Sequence, residues 1–350
     1  MNRLTNLFNI DLPLIQAPMA GVQGWELAAA VTLTGGLGSL PCATLTPGTI
    51  RDAVHQFRQH SSGSINLNFF SHTSPSQNAD MQKNWLDHFR PYYEEWGIPT
   101  PSGTSGPGRR PFDQDMADLV EEVKPAVVSF HFGLPEPRLL SAVQRSGAKI
   151  ISSATTVEEA LWLEAHEVDA IIAQGLEAGG HRGMFLSQDI NAQAGTFALL
   201  PQVVEAVRVP VIAAGGIADA AGVRAAMTLG ASGVQVGTAY LLCPEARTSA
   251  IHRTALSSEA ARHTALTNIF SGRPARGIVN RMIRELGPIH PSAPPFPLAT
   301  AASAPLRAAA EARGADDFTP LWAGQNVSGC RPIPAADITR GLAEGFAALR

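Results

Sequence analysis

The sequence predicts an α/β fold, a TIM (β/α)8 barrel carrying a smaller, mainly helical substrate-binding subdomain. Three observations lead there. Eight short apolar, β-branched runs recur with helical patterns between them, the mark of βα units. Most of these runs lack polar alternation, as parallel strands buried on both faces do. Six of the seven spacings between them are roughly 20 to 40 residues, close to one βα repeat. No GxGxxG follows the first run, which speaks against an open dinucleotide-binding sheet.

In chain order the runs occupy 14–17, 37–39, 65–68, 126–130, 149–152, 170–174, 211–213 and 233–236. The barrel thus spans 1–240. Its long third interval is an insertion over about 71–122, with Trp85, Tyr92, Tyr93 and Trp96 on a predicted helix and the breaker-rich stretch 97–108 after it. Beyond the eighth strand, 244–286 reads as helical, and 288–297 is proline-rich and extended. Residues 241–315 are therefore expected to form the helical subdomain over the strand C-termini. Residues 316–350 are expected to return to the barrel wall through a helix over 335–349.

Composition narrows the function. A chain of 350 residues suits one elaborated barrel with an ample core. With 26 basic and 30 acidic residues the net charge is −4, so no nucleic-acid surface is expected. Arg109 and Arg110, the tightest basic pair, sit in a Gly/Pro loop and read as solvated. Cys42, Cys243 and Cys330 are far apart and form no CxxC, which argues against a disulfide framework or a metal site. The opening Met1-Asn-Arg-Leu-Thr-Asn-Leu-Phe is too polar for a secretory leader, and no apolar stretch reaches membrane-spanning length. A cytoplasmic monomer or homodimer without a membrane partner is expected.

Chemistry in such barrels collects on the loops after the strands. The first loop, Gln16-Ala-Pro-Met-Ala-Gly21, places Ala17, Pro18 and Met19 at the barrel mouth. Met19 can offer a soft face to a flat ring or serve as core filler. Asn68 ends the third strand, where an amide can read a heterocycle edge or cap the loop. His131 ends the fourth, between two phenylalanines, as a hydrogen-bonded core histidine or a catalytic one.

The sixth strand leads into Gln174-Gly-Leu-Glu-Ala-Gly-Gly-His-Arg-Gly183, the most informative segment of the chain. Gln174 suits a ring edge, and Gly179 and Gly180 permit close approach of a ligand. His181, a titratable imidazole on a loop after a barrel strand, is the candidate acid–base residue. Arg182 reads as structural, and Glu177 as orienting the loop or the histidine. Loops seven and eight carry Gly215, Gly216, Gly237 and Thr238. Backbone N–H groups there, beside a helix N-terminus, build the phosphate site common in TIM barrels. A phosphate beside a polar heterocycle edge fits FMN, and it also fits a phosphorylated sugar in a flavin-free barrel.

Taken together, six stretches resemble the nitronate monooxygenases, formerly called 2-nitropropane dioxygenases. They are Gln16-Ala-Pro-Met-Ala-Gly21, Asn66-Leu-Asn-Phe-Phe70, Val128-Ser-Phe-His-Phe-Gly-Leu-Pro135, Gln174 to Gly183, Ala214-Gly-Gly-Ile-Ala-Asp219 and Gly233-Val-Gln-Val-Gly-Thr-Ala239. Leu321-Trp-Ala-Gly-Gln325 is similar to the family as well. The histidine-phenylalanine motif resembles class I monooxygenases more than related NADH:quinone reductases. The resemblance implies non-covalent FMN contacted by Asn68, Gln174, Gly179, Gly216, Gly237 and Thr238, with His181 as base and His131 nearby. It implies oxidation of alkyl nitronates, propionate 3-nitronate among the candidates, by O2 to a carbonyl compound and nitrite through a flavin semiquinone. Family members often place tyrosines and a lysine around the substrate. Here the tyrosines are only Tyr92, Tyr93 and Tyr240, and 288–298 carries His290 and Phe296 instead, which leaves the substrate open. The rival readings are an NAD(P)H:quinone or enoyl-thioester flavin reductase, the sugar-phosphate barrel, and a flavin-binding protein without turnover.

Overall fold

The computed structural model describes residues 2–101 and 109–347. Eleven strands are present among them: β1 (Leu14–Gln16), β2 (Gly38–Pro41), β3 (Ile65–Phe70), β4 (Val127–His131), β5 (Lys149–Ala154), β6 (Ala170–Gln174), β7 (Gly180–His181), β8 (Val211–Ala214), β9 (Gly233–Val236), β10 (Thr264–Thr267) and β11 (Ala275–Ile278). All except β7, β10 and β11 pair in parallel, in the order β1-β9-β8-β6-β5-β4-β3-β2. A bridge between Ile15 and Leu37 joins the two ends and closes the barrel. Two hydrogen bonds secure it, Gln16 N–H to Leu37 O at 2.9 Å and Leu37 N–H to Leu14 O at 2.8 Å. The eight predicted runs are these eight barrel strands.

Two apolar layers hold the barrel. The larger lies between strands and helices. The smaller gathers Ile15, Leu37, Val127, Ile151, Ile172 and Ile212 with Leu4 and Phe8. The first helix, Arg3–Phe8, therefore plugs the N-terminal end of the strands, leaving the C-terminal end as the open mouth. Asn2 caps that helix with its side-chain oxygen. At the chain's other end the helix Ala335–Ala347 packs back on the barrel, where a Cβ at Gly345 would lie 2.6 Å from Ala220 O. The rest of that predicted helix, 348–349, and residues 102–108 of the breaker-rich stretch lie outside the described residues.

Three expectations are corrected. The stretch 244–286 is not helical throughout. Only Ala250–Leu256 and Arg281–Leu286 form α-helices, and the antiparallel hairpin β10–β11 lies between them. Gly272 at φ +90° and Pro274 break any helix there, and β7 offers β11 a free edge to pair with. The insertion is also shorter than about 71–122, because helix Gln114–Val123 buries Met116, Leu119 and Val120 in the barrel's own outer layer. Finally, the insertion, expected within the barrel unit 1–240, shares a core with the segment after the barrel. Trp85, Phe89 and Tyr93 form a second core with Met282, Leu306 and Phe318. Trp85 Nε1–H donates to Ala299 O at 3.0 Å and Tyr93 O–H to Ala302 O at 2.9 Å. Insertion and post-barrel segment are one subdomain. No helix of the described chain is long and apolar enough to cross a membrane.

Candidate active site

A cleft of about 1350 Å³, counted out to its open mouth, lies at the C-terminal end of the barrel strands. Each of the thirteen residues singled out in the sequence borders it. Ala17, Pro18 and Met19 come from the loop after β1, Asn68 from β3 and His131 from β4. Gln174, Gly179, Gly180 and His181 come from β6 and its loop. Gly215 and Gly216 follow β8, and Gly237 and Thr238 follow β9. Met19 packs partly on the core and borders the cleft.

The last two turns have the chemistry of an anion cradle. Gly215 and Gly216 have φ +113° and +75°, which an L side chain adopts only under strain. A Cβ on Gly215 would meet Ala178 N and Thr196 Oγ1 at 3.0 Å. A Cβ on Gly237 would meet Ala17 and Met19 at 3.3 and 3.4 Å. Among the described residues, the N–H groups of Gly215, Gly216, Gly237 and Thr238 donate to no acceptor of the chain. Unpaired backbone donors in a cleft require a partner, and four such N–H groups on its wall suit a phosphate. The expected helix N-terminus contributes less than foreseen. Asp219 caps the helix Ala220–Thr228 with its own carboxylate, and only the short 3-10 turn Thr238–Tyr240 opens towards the cleft.

His181 is held by its backbone on three sides. Strand β7 pairs with β11 so that His181 faces Ala275, and Arg182 N–H donates to Pro274 O at 2.8 Å. Gln174 Nε2 and His131 Nε2 both donate to the His181 carbonyl, each at 3.0 Å. A carbonyl only accepts, so His131 carries its proton on Nε2, and its Nδ1 accepts from Ser153 Oγ at 3.1 Å. His131 thus has both nitrogens committed and acts as a support for the His181 backbone. The His181 ring meets Ser271 Oγ through Nε2 at 2.8 Å, and Ser271 in turn donates to Arg273 O. With the Ser271 hydrogen on Arg273 O, Nε2 carries the ring proton, and the Nδ1 lone pair then has no partner in the described chain. Phe296 and Trp322 flank the ring at 5.3 and 5.6 Å.

Burial first, then Arg109, His131, Arg273 and His72, pull the His181 pKa well below its ordinary value. His72, His131 and His252 are pushed down to about 4, each chiefly by burial. All four are neutral when folded, whereas the unfolded chain takes up their protons near pH 6.5. The unfolded state then binds more protons, so stability falls as pH drops from about 6.5 towards 4. Each such group costs ~1.4 kcal/mol per pH unit in that window. Urea midpoints measured at pH 7 and pH 5 check this, and equal midpoints contradict it.

The amides divide their work. Gln174 was expected to read a ring edge, yet it is largely spent on its own loop. Its Nε2 binds the His181 carbonyl and its Oε1 accepts from Gly183 N–H at 2.7 Å. Asn68 uses Nδ2 on Ser129 and keeps Oδ1 free. Gln235, not singled out in the sequence, borders the cleft with a buried Oε1 that has no partner. Its signal was a polar residue in the apolar eighth strand.

Beneath the histidine loop lies a buried polar chain. Arg182 is fully buried and donates to Gln174 O, Gly175 O and Gln193 Oε1 at 2.7, 2.6 and 3.0 Å. Gln193 continues to Thr155, whose hydroxyl donates to Glu159 at 2.7 Å. Glu159 also accepts from Phe185 N–H and Leu186 N–H at 2.5 and 3.2 Å. Glu177 ties the loop to Thr196 through N–H and hydroxyl, both at 2.8 Å. Arg182→Lys removes the planar fork and keeps a single donor head. It should destabilise the fold by about 1.5–3 kcal/mol, read from the urea midpoint.

Two further cleft residues escaped sequence reasoning. His252, in helix Ala250–Leu256, borders the cleft with a buried, unpartnered Nε2. Arg109 was read as solvated with Arg110. Only Arg110 fits that reading, exposed and 3.6 Å from Asp113. Arg109 turns inward, borders the cleft, and reaches Thr300 Oγ1 at 3.3 Å. None of the tyrosines borders the cleft: Tyr92 and Tyr93 lie in the second core, and Tyr240 O–H pairs with Thr339. His290 stacks against Trp85 and His88 instead.

Known proteins resemble the chain over nearly its whole length. The nitronate monooxygenase family model matches residues 1–345. A nitronate monooxygenase of Pseudomonas aeruginosa is 41% identical over 345 residues, covering 98% of both chains. The crystal structure of a nitroalkane oxidase from Streptomyces ansochromogenes superposes with a TM-score of 0.89 at 36% identity, covering 99% of each chain. FabK from Thermotoga maritima superposes with a TM-score of 0.73 at 26% identity, covering 100% of this chain and 97% of that one.

Proposed function

Because this chain belongs to the nitronate monooxygenase family and is a nitronate-oxidising enzyme, we propose that it binds FMN and uses O2 to convert alkyl nitronates into a carbonyl compound and nitrite. Propionate 3-nitronate is one substrate of that class. The observation that carries the reading is the pairing of four unsatisfied backbone N–H groups with a partner-free imidazole nitrogen in one cleft. Gly215, Gly216, Gly237 and Thr238 would hold the phosphate. Asn68 Oδ1 and Gln235 Oε1 would accept from the ring edge. FMN supplies the one-electron redox chemistry when bound.

The chain's own residues do the rest. Neutral His181 offers its Nδ1 lone pair as a base for the α-proton of a neutral nitroalkane. Ser271 fixes the ring tautomer from the other side. His131 and Gln174 fix the backbone that carries the ring. A nitronate is already deprotonated and needs no base.

The test is the absorption spectrum of the purified protein, followed by ethylnitronate in air with oxygen uptake and nitrite measured. A yellow protein consuming oxygen and releasing nitrite is expected. A colourless protein that fails to take up FMN overturns the cofactor, and rapid anaerobic bleaching by NADH with no nitronate turnover favours a flavin reductase.

A further inference from the structure

The cleft needs something to hold an anion at its substrate end, and the neutral His181 cannot supply the charge. Four arginines lie within electrostatic reach of the cleft; three donate to the chain away from its wall, though Arg273 keeps one buried Nε–H unpartnered. Arg182 gives its fork to backbone carbonyls and Gln193. Arg276 binds Leu176 O and Thr264. Arg273 lies over the Phe132 ring, 4.0 Å from its centroid, and donates to Met184 O. None of these three borders the cleft.

Arg109 is the one lysine or arginine on the cleft wall among the described residues. Among the described residues its guanidinium makes a single long hydrogen bond, to Thr300 Oγ1, and pairs with no carboxylate. It sits 5.6 Å from the centroid of Phe296, the ring that also packs against His181 at 5.3 Å. Guanidinium and imidazole thus pack against one aromatic ring, the first over it and the second edge-on. Among the described residues the one carboxylate on the cleft wall, Glu177, is engaged by Thr196. A guanidinium withdrawn from water costs free energy unless an anion meets it.

We infer that Arg109 is the residue that holds the anionic head of the substrate, and that the cleft's second ligand class is small organic and inorganic anions. This rests on the nitronate reading above and deepens it. Positive charge at the mouth also draws anions in before contact. Arg109 binds and orients the anion, and His181 is left to the proton of neutral substrates.

The test uses the FMN-loaded enzyme, Arg109→Gln and Arg109→Lys. Charge-assisted hydrogen bonds of this kind correspond to a rise in KM for ethylnitronate of about 10- to 100-fold in R109Q, with kcat falling less. R109K should recover part of the loss. Nitrate should inhibit the wild type competitively against ethylnitronate and inhibit R109Q far more weakly. R109Q with a wild-type KM and wild-type nitrate inhibition overturns the inference. Nitrate titration by calorimetry decides the matter independently of turnover. If wild-type protein binds nitrate and R109Q does not, the anion site stands even when no nitronate is oxidised, in which case the proposed function fails alone. Should R109Q not fold, R109K against wild type gives the same comparison, and identical nitrate affinity and KM in both count against Arg109.

Discussion

His181→Asn is expected to keep the bound flavin and to lose nitroethane turnover by about 10²–10⁴-fold in kcat/KM. Asparagine preserves the backbone pairing of β7 with β11 and the carbonyl that Gln174 and His131 hold. It replaces the imidazole, and with it the basic nitrogen, by a neutral amide. Ethylnitronate brings no α-proton to abstract, so its turnover should fall far less. The ratio of the two rates, measured on one preparation, separates loss of a base from loss of a site. The wild-type profile carries a second signature. Burial and the nearby arginines hold the imidazole well below its ordinary pKa, so the base form persists as pH falls through 6.5. The kcat/KM for nitroethane should therefore show no inflection near pH 6.5. An inflection there, or normal nitroethane oxidation by the variant, removes His181 from this role.

The barrel was legible because its physics is local. A parallel strand buried on both faces needs a short apolar run, and the eight runs sit where the eight strands are. The cleft was legible for a related reason, since its residues follow those strands at fixed offsets. What escaped depends on partners distant in sequence. Trp85 donates to a carbonyl 214 residues away, and no local pattern ties the insertion to the segment after the barrel. Strand β11, with Ala275, Arg276 and Gly277, has weak strand propensity of its own and exists because β7 and β10 give it edges. Arg109 follows breakers that signal surface, and contacts with Thr300 and Phe296, 191 residues away in the first case, draw it inward. Gln174 was legible as a site residue but not in its task, because amide donors and acceptors serve a ligand or a loop equally well.

Thr238→Asp is expected to yield protein without flavin, while Thr238→Asn retains it. Thr238 Oγ1 accepts from Gly324 N–H at 3.0 Å, and the Asn and Asp side chains both offer an oxygen in its place. The two variants have nearly the same shape and differ by one negative charge beside the four free N–H groups. A carboxylate about 5 Å from a phosphate opposes it by about 3 kcal/mol per unit of charge at an effective dielectric constant near 20. Against a doubly charged phosphate the penalty exceeds a factor of about 10² in affinity. A structural perturbation at this turn would affect both variants alike, because the segment carrying Trp322 and Gly324 leans on position 238 in each. The ratio of flavin to protein absorbance after gel filtration reads the outcome, and added salt should narrow the gap between the two variants because the opposition is electrostatic. Equal flavin content in both would mean that the phosphate sits elsewhere, and the glycine turns after β8 and β9 would lose the task assigned to them.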